Sequence, residues 1–224
     1  MKYLEFKFTC ESFRLNMSNF NTVIIENKCL YYEFLSFCFC GFGGSKNFIY
    51  SLEMSASDCL DNYVFFVDNI LDMNINTKKN INALYKIIKS KYFDNLKSEL
   101  NDLKTKIVNI VSKISLDFDV ELVFGDELTE NDIFKIVDLR FAESDLDILH
   151  KLIKYLFVIN ELLGVKIFIL HSLHSFLCND QIEVLLKETS IRQISLIIIE
   201  NSLNFVPINK ENISIVDKDL CLIK

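Results

Sequence analysis

The stretch FCFCGFGGSK at residues 37–46 is the first candidate for chemistry, since it holds three of the five glycines and two of the seven cysteines. A phosphate-binding loop needs the pattern G-x-x-x-x-G-K-[ST] between a buried strand and the helix that follows it. This stretch lies instead between a predicted helix and a predicted strand, and no glycine directly precedes Lys46. The pattern therefore favours a glycine C-cap and a turn. Cys38 and Cys40 are too close for a zinc knuckle, and no second pair follows at zinc-site spacing.

In nucleotide-binding α/β proteins a phosphate loop occupies the turn after a buried strand. The corresponding strand here is TVIIE at 22–26, and the next residues are Asn27, Lys28 and Cys29, without a glycine. We therefore expect that no phosphate loop forms at this position.

A second candidate is HSLHS at 171–175, just past a predicted buried strand, where α/β proteins bind ligands. No acidic residue within a few positions of His171 or His174 completes a metal site, and no glycine elbow surrounds either serine. The favoured interpretation is a loop of hydrogen-bonded polar residues. The alternative is a degenerate nucleotide hydrolase that uses His171 or His174.

The elements that must position these residues alternate between strands and helices. Half of the 224 residues are apolar, and a single proline and five glycines interrupt them, which favours long regular elements. VKIFIL at 165–170 and ISLIII at 194–199 are continuous apolar runs, as expected for strands buried on both faces. A helix over 179–189 separates them, and a strand at 213–216 follows. This order predicts a parallel α/β sheet. Further strands are predicted at 4–8, 22–26 and 47–54, and further helices at 28–40 and 144–163.

Between Thr77, a candidate N-cap, and Lys113 the chain has neither glycine nor proline, and apolar residues recur every three or four positions. The pattern predicts one helix about 50 Å long with a single apolar side. That side consists of Ile81, Tyr85, Ile88, Tyr92, Leu96, Leu100, Leu103, Ile107, Ile110 and Ile114. Helices of this length typically project from a globular body and pack on a partner helix. We therefore predict an α/β head formed by 1–77 and 148–224, with a helical insertion at 78–147.

Charge is segregated within the insertion, although the whole chain carries −7. Residues 78–113 hold nine lysines and three acids, a balance of +6, whereas residues 114–147 hold eleven acids and two basic residues, a balance of −9. Viewed down the helix at 100° per residue, four of the lysines fall within about 20° of one another, and they lie about 100° from the centre of the apolar side. A fifth lies about 60° from these four, towards the apolar side. This lysine row consists of Lys79, Lys86, Lys97 and Lys104, with Lys89 as the fifth.

The lysine row has two interpretations of equal weight. It could follow the phosphates of a nucleic-acid strand, which a binder that does not read bases contacts through charge alone. It could equally be a solvated surface that keeps the helix soluble.

The acidic part of the insertion contains LDFDVE at 116–121 and GDELTENDIF at 125–134. If 116–121 is extended, its three acids share one face. Acids at this density repel one another unless they are solvated or neutralised by a hard cation with oxygen ligands, and calcium is the natural candidate. The glycine and the terminal glutamate do not match an EF-hand loop.

Targeting signals and membrane spans are not expected. No run of about 18 apolar residues occurs, and the first residues alternate polar and apolar side chains. The cysteine count is odd, which favours free thiols in a reducing cytoplasm.

Taken together, these elements resemble the Csn2 family of CRISPR-associated proteins from type II-A systems. The resemblance rests on an ordered series of stretches from about residue 20 to 200: TVIIENKCLYYEFLSFC, VDNILDMNINTKKNINALYKII, GDELTENDIFKIV, and KIFILHSLHSFLCNDQIEVLL followed by ISLIIIEN.

The resemblance implies an α/β head related to phosphate-loop nucleotide hydrolases but without the phosphate loop, a helical leg, and no enzymatic activity. It also implies a homotetrameric ring whose lysine-lined channel holds double-stranded DNA, and bound calcium ions. Carried over by position, the calcium ligands are Asp126, Glu127 and Asp132. The implied function is to assist spacer acquisition in antiviral defence, with the integrase complex and the RNA-guided effector nuclease of the same system as partners. A purely structural helical oligomeriser is the remaining alternative.

Overall fold

The computed structural model describes residues 3–8, 11–16, 20–42, 48–52, 64–120, 122–123, 125, 129–143, 146–209 and 211–223. The chain divides into two compact units, which we call the α/β unit (Met1–Asn74 with Asp145–Lys224) and the helical unit (Ile75–Ser144). Among the described residues, no helix combines the length and the apolar character that crossing a lipid bilayer requires.

In chain order the described elements are β1 (Tyr3–Phe8), β2 (Glu11–Asn16), β3 (Phe20–Ile25), α1 (Lys28–Phe39), β4 (Phe48–Leu52), β5 (Val64–Val67), α2 (Lys78–Ser115), α3 (Glu130–Ile136), α4 (Ile148–Leu163), β6 (Ile167–His171), α5 (Asn179–Ile191), β7 (Ser195–Glu200), β8 (Glu211–Val216) and β9 (Leu222–Ile223). A short 3-10 helix, Leu173–Ser175, lies between β6 and α5.

The main sheet has six strands in the order β5-β6-β7-β3-β8-β9. The first five run parallel, and β9 pairs antiparallel with β8. β6 is buried on both faces because alternate residues enter opposite clusters. Ile167 and Ile169 pack on the side of α1, whereas Phe168 and Leu170 pack on the side of α4 and α5. The predicted parallel α/β sheet is confirmed, and the two-sided burial explains the continuous apolar runs.

β3 passes into α1 through Glu26 and Asn27 alone. The Asn27 side chain accepts a hydrogen bond from the Leu30 amide at 3.1 Å and so caps the helix. Its amide group donates to the Lys218 carbonyl at 3.0 Å. The turn where a phosphate loop would lie is therefore two residues long and closed by a capping side chain.

The glycine-containing stretch after α1 begins as a helix C-terminus. Gly41 has φ +71°, the left-handed conformation that glycine adopts without a Cβ clash. The Gly41 amide donates to the Cys38 carbonyl at 3.2 Å, and the Phe42 amide donates to the Phe37 carbonyl at 2.9 Å. These are the two hydrogen bonds of a Schellman motif, so the predicted glycine C-cap is confirmed. Residues 43–46 lie outside the described part of the chain.

A second, antiparallel sheet has the strand order β2-β1-β4. The sequence predicted β1 and β4 but not β2. Phe13 and Leu15 are the only apolar residues of β2, too few for the alternating pattern to be recognised. In the sheet they lie opposite Phe6 and Leu4, so the strand is defined by pairing across the sheet.

The helical unit is built on α2, 38 residues and about 57 Å long. The predicted cap is confirmed, since the Thr77 hydroxyl accepts from the Asn80 amide at 3.2 Å. Early in the helix, the Tyr85 ring lies 5.1 Å from that of Phe134, and its hydroxyl donates to the Leu139 carbonyl at 3.2 Å. The first turns of α2 are therefore held by the chain around α3.

Residues 116–120, which follow α2, do not form an extended strand, and Glu121 lies outside the described residues. The Leu116 amide donates to the Lys113 carbonyl at 3.2 Å and the Asp117 amide to the Ile114 carbonyl at 3.1 Å, so helical hydrogen bonding continues into a turn. Asp117 and Asp119 consequently do not alternate along a strand. The reason is that the unsatisfied carbonyls of the helix end are paired locally, which outweighs the weak alternation of the sequence.

Candidate functional site

All five residues of the lysine row lie on α2. Lys79, Lys86 and Lys97 are exposed, while Lys89 and Lys104 are half-buried. With a continuous helix from residue 78 to 115, the row spans about 37 Å along one side. The structure thus brings the five predicted lysines onto one rigid element.

The apolar side of α2 is covered at Tyr85 and further along carries exposed apolar side chains between others that are half-buried. Tyr85 is buried, but five large apolar side chains beyond it are between 42% and 58% exposed within the chain. These are Tyr92, Leu96, Leu103, Ile110 and Ile114. A row of large apolar residues this long is typical of a surface that packs on another molecule.

Three more lysines lie on the other flank of this apolar side. Lys91, Lys106 and Lys113 are exposed and lie about 120° to 180° around the helix from Lys79. The apolar side of α2 is therefore bordered by lysines on both flanks.

The predicted calcium ligands are not brought together in the described part of the chain. Asp126 and Glu127 lie outside the described residues. Asp132 is occupied by a helix cap: its Oδ2 accepts from the Thr129 amide at 3.0 Å and from the Thr129 hydroxyl at 2.6 Å. Its Oδ1 lies 3.1 Å from Lys135 Nζ. The hydrogen bonds from Thr129, followed by that from Lys135, lower the pKa of Asp132 to about 2.

No group of three or more His, Cys, Asp or Glu side chains that could hold a metal ion occurs among the described residues. In this conformation Thr129 contacts Oδ2 of Asp132 and Lys135 contacts Oδ1. Calcium binding stays a prediction that depends on residues 126–127 and their surroundings.

The carboxyl ends of the parallel strands form the edge where α/β proteins bind ligands. His171, the last residue of β6, lies there with Ser172. His171 Nε2 lies 2.9 Å from the Asp68 carbonyl oxygen, and its ring stacks on that of Phe66 at 5.9 Å. Because a carbonyl can only accept, Nε2 carries a proton. His171 Nδ1 and the Tyr31 hydroxyl each lie 3.4 Å from Ser172 Oγ. This fits the interpretation of hydrogen-bonded loop residues.

His174 lies in a buried cluster with two carboxylates. Its Nδ1 is 2.9 Å from Glu200 Oε1, and its Nε2 is 3.4 Å from Glu211 Oε1. The side chains of His174, Glu200 and Glu211 are 4%, 6% and 0% exposed. The Thr22 hydroxyl donates to Glu211 Oε1, and the Phe205 ring stacks on the imidazole at 3.6 Å. We call these five residues the His174 cluster.

Sequence reasoning identified His174 but missed its partners. Glu200 and Glu211 lie on β7 and β8, far from His174 along the chain, so the residues next to His174 in the sequence did not indicate them. One signal was present in the sequence: Glu200 directly follows the apolar run 196–199, and a carboxylate buried with such a run requires a partner.

The protonation of the His174 cluster follows from its contacts. Burial lowers the pKa of His174, but its hydrogen bond with Glu200 and its ion pairs with Glu200 and Glu211 outweigh burial and raise the pKa to about 9. Burial raises the pKa of Glu211, but the ion pair with His174 and the hydrogen bonds from Thr22 and the Ile208 amide outweigh it and hold the pKa below its usual value. At neutral pH His174 is therefore an imidazolium, with the side chains of Glu200 and Glu211 on either side of its ring.

Among known proteins, similarity to this chain is found in fold and, at the level of a family, in sequence. The crystal structure of Stu0660 of Streptococcus thermophilus is similar in fold, with a TM-score of 0.62 and 15% sequence identity over 95% of this chain and 74% of that chain. A Pyrococcus furiosus protein described as an ABC transporter ATP-binding protein gives a TM-score of 0.44 at 11% identity over 93% of this chain and 96% of that chain, a likeness too weak to support an inference. No curated protein matches the chain in sequence.

A family model described as CRISPR-associated protein (Cas_Csn2) matches residues 45–220, which is well over half of the chain. The match includes α2, the 3-10 helix that holds His174, and strands β5 to β8. The resemblance seen in the sequence is thereby confirmed: the chain belongs to the Csn2 family of CRISPR-associated proteins.

Proposed function

We propose that this protein is a non-enzymatic, sequence-independent binder of double-stranded DNA that assists spacer acquisition. In this proposal it acts as a homotetrameric ring, beside the integrase complex and the RNA-guided effector nuclease of its CRISPR system. Membership of the CRISPR-associated family supports a role within a CRISPR system. The observation that carries DNA binding is the lysine row on one side of α2.

The row suits a phosphate backbone because it is long, rigid and cationic. Lys79, Lys86 and Lys97 are exposed on a single continuous helix. Duplex DNA presents a phosphate charge every ~1.7 Å along its axis, so lysines spaced along a helix meet several phosphates without reading bases. Binding driven in this way weakens steeply as salt rises, because it depends on counterion release.

The exposed apolar side of α2 supports the assembly part of the proposal, and assembly would concentrate positive charge in spite of the net charge of −7. The exposed apolar side of α2 beyond Tyr85 gives copies of the chain a surface on which to pack. A ring brings several copies of the lysine row around one channel, and the fields of like charges facing a shared channel add.

The test is a gel shift of linear duplex DNA across a salt series, with two matched charge reversals. One variant carries Lys79→Glu, Lys86→Glu and Lys97→Glu in the row. The control carries Lys91→Glu, Lys106→Glu and Lys113→Glu, which make the same charge change on the other flank. We expect the row variant to abolish binding and the control to retain most of it, with both eluting at the size of the parent.

Equal loss in both variants would mean that only total charge matters, and unchanged binding in the row variant would show that the row is a solvated surface. Absence of any salt-dependent binding by the parent would favour the purely structural oligomeriser.

The alternative of a degenerate nucleotide hydrolase receives less support. The turn after β3 is two residues long and capped by Asn27, and His174 is engaged by Glu200 and Glu211. Nucleotide turnover by the parent that is lost in His171→Gln or His174→Gln would revive it.

A further inference from the structure

The connection between β7 and β8, residues 201–209, is attached to the sheet through the His174 cluster and through Ile208, whose side chain is buried in the core on the side of α4 and α5. Phe205 in this connection stacks on the His174 ring at 3.6 Å with an interplanar angle of 13°. The Ile208 amide donates to Glu211 Oε2 at 3.0 Å. A third attachment, from Asn179 Nδ2 to the Val206 carbonyl at 3.0 Å, lies outside the cluster.

His174 faces carboxylates from two strands, and a third strand supplies a hydroxyl to one of them. Glu200 on β7 accepts from both the His174 amide at 3.0 Å and the ring Nδ1 at 2.9 Å. Glu211 on β8 faces Nε2 at 3.4 Å, and Thr22 on β3 donates to the same carboxylate. Within its own 3-10 helix, Leu173–Ser175, no other ionisable residue is present.

The proton on His174 determines the charge balance of the cluster. Two ionised carboxylates buried without a cation would repel each other and lose most of their hydration. The imidazolium is the one cation among the groups of this cluster. If it becomes neutral, one of its two carboxylate contacts turns from attractive to repulsive, because a neutral ring has a proton on only one nitrogen.

We propose that His174, as a buried imidazolium, latches the 201–209 connection and the 3-10 helix onto the carboxyl side of the sheet, and that the latch opens when His174 loses its proton. The proposal concerns the α/β unit and does not depend on DNA binding or on assembly.

The direction of the pH effect follows from linkage. In the open state His174 is exposed to water and has an ordinary histidine pKa of about 6.5. In the closed state its contacts with the two carboxylates hold the pKa at about 9. Closure is therefore fully favoured below pH ~6.5 and is progressively lost as the pH rises through ~9. Between these limits the opening equilibrium constant rises about tenfold per pH unit.

The test is amide hydrogen exchange of the full-length protein between pH 6 and pH 10, expressed as protection factors so that the intrinsic pH dependence of exchange is removed. Three forms are compared: the native chain, His174→Gln, and His171→Gln as a matched histidine control on the same edge. His174→Gln retains a donor group of similar size, so that the fold is disturbed as little as possible.

We expect protection over 201–209 to fall about tenfold per pH unit between pH ~6.5 and ~9 in the native chain and in His171→Gln. In His174→Gln it should be lower at neutral pH and nearly independent of pH. Amides of the core helix α5, which open only when the whole unit unfolds, should be better protected than 201–209 at every pH. Native protection that does not change with pH, a pH profile retained in His174→Gln, or protection in α5 no higher than that in 201–209 would each overturn the latch.

Discussion

Cations occur in two contrasting settings in this protein. In the α/β unit, His174 is 4% exposed and lies between two carboxylates. In the helical unit, the lysines of the row lie along one side of α2, three of them exposed. A buried cation acts through particular partners at short distance and is screened little by salt. Exposed cations act through their sum and are screened strongly, so they suit a ligand that is itself a long row of charges.

The two settings also predict different effects of substitution, on stability in the buried cluster and on binding in the lysine row. Removing one member of a buried ion pair leaves the other uncompensated, whereas an exposed ion pair contributes little to the free energy of unfolding. We therefore expect substitutions in the His174 cluster to affect folding, and substitutions in the lysine row to affect binding at nearly constant stability.

The largest effect is expected from a substitution in the buried His174 cluster. His174→Phe removes the cation and leaves Glu200 and Glu211 facing each other in the interior. We expect the free energy of unfolding, measured by urea titration at pH 7, to fall by about 3–5 kcal/mol. The matched control is His150→Gln, because the exposed His150 ring also contacts a carboxylate, with Nδ1 2.7 Å from Asp147 Oδ2. The control should unfold like the native chain. A His174→Phe variant as stable as the control would show that the buried cluster contributes no net stability.

A smaller effect is expected on the exposed apolar side of α2. Ile110 is 58% exposed, and Ile110→Asp places a charge in the middle of the proposed assembly surface. Loss of its burial between copies should weaken assembly at least tenfold, seen by light scattering at micromolar concentration as a shift from tetramer to smaller species. Asn109→Asp introduces the same charge about 100° around the helix and should leave the mass unchanged. If both variants keep the native mass, copies do not meet on this side of α2. A monomeric parent would remove the ring itself.

The smallest effect is expected at Asp132, and it distinguishes a carboxylate that caps a helix from one that binds a metal. Asp132→Asn should lower the melting temperature slightly, and equally with calcium or with chelator, because the lost contacts are those with Thr129 and Lys135. If calcium is bound, Asp126→Asn with Glu127→Gln should remove the calcium-dependent rise in melting temperature that mass action produces. A native melting curve that is the same in calcium and in chelator would show that calcium is not structural here.

Local patterns account for the elements that were correctly predicted. The boundaries of α2 follow from a 3.6-residue period and from Thr77 as its cap, and both signals lie within a few turns of the residues they specify. The continuous apolar runs of β6 and β7 identify two-sided burial directly. β2 was not predicted because its two apolar residues can be recognised as part of a strand only from their pairing with β1.

The sequence by itself determined the α/β alternation, the long helix with its lysine row, the absence of a glycine after β3, and the family to which the chain belongs. These depend on residue types and on spacings along the chain. Only the tertiary structure decided the surroundings of His174. Thr22 and Glu211 are 189 positions apart, yet they share a hydrogen bond because β3 and β8 are neighbours in the sheet. Strand order arises from packing over the whole unit, so no local pattern could indicate which carboxylates would enclose the imidazole.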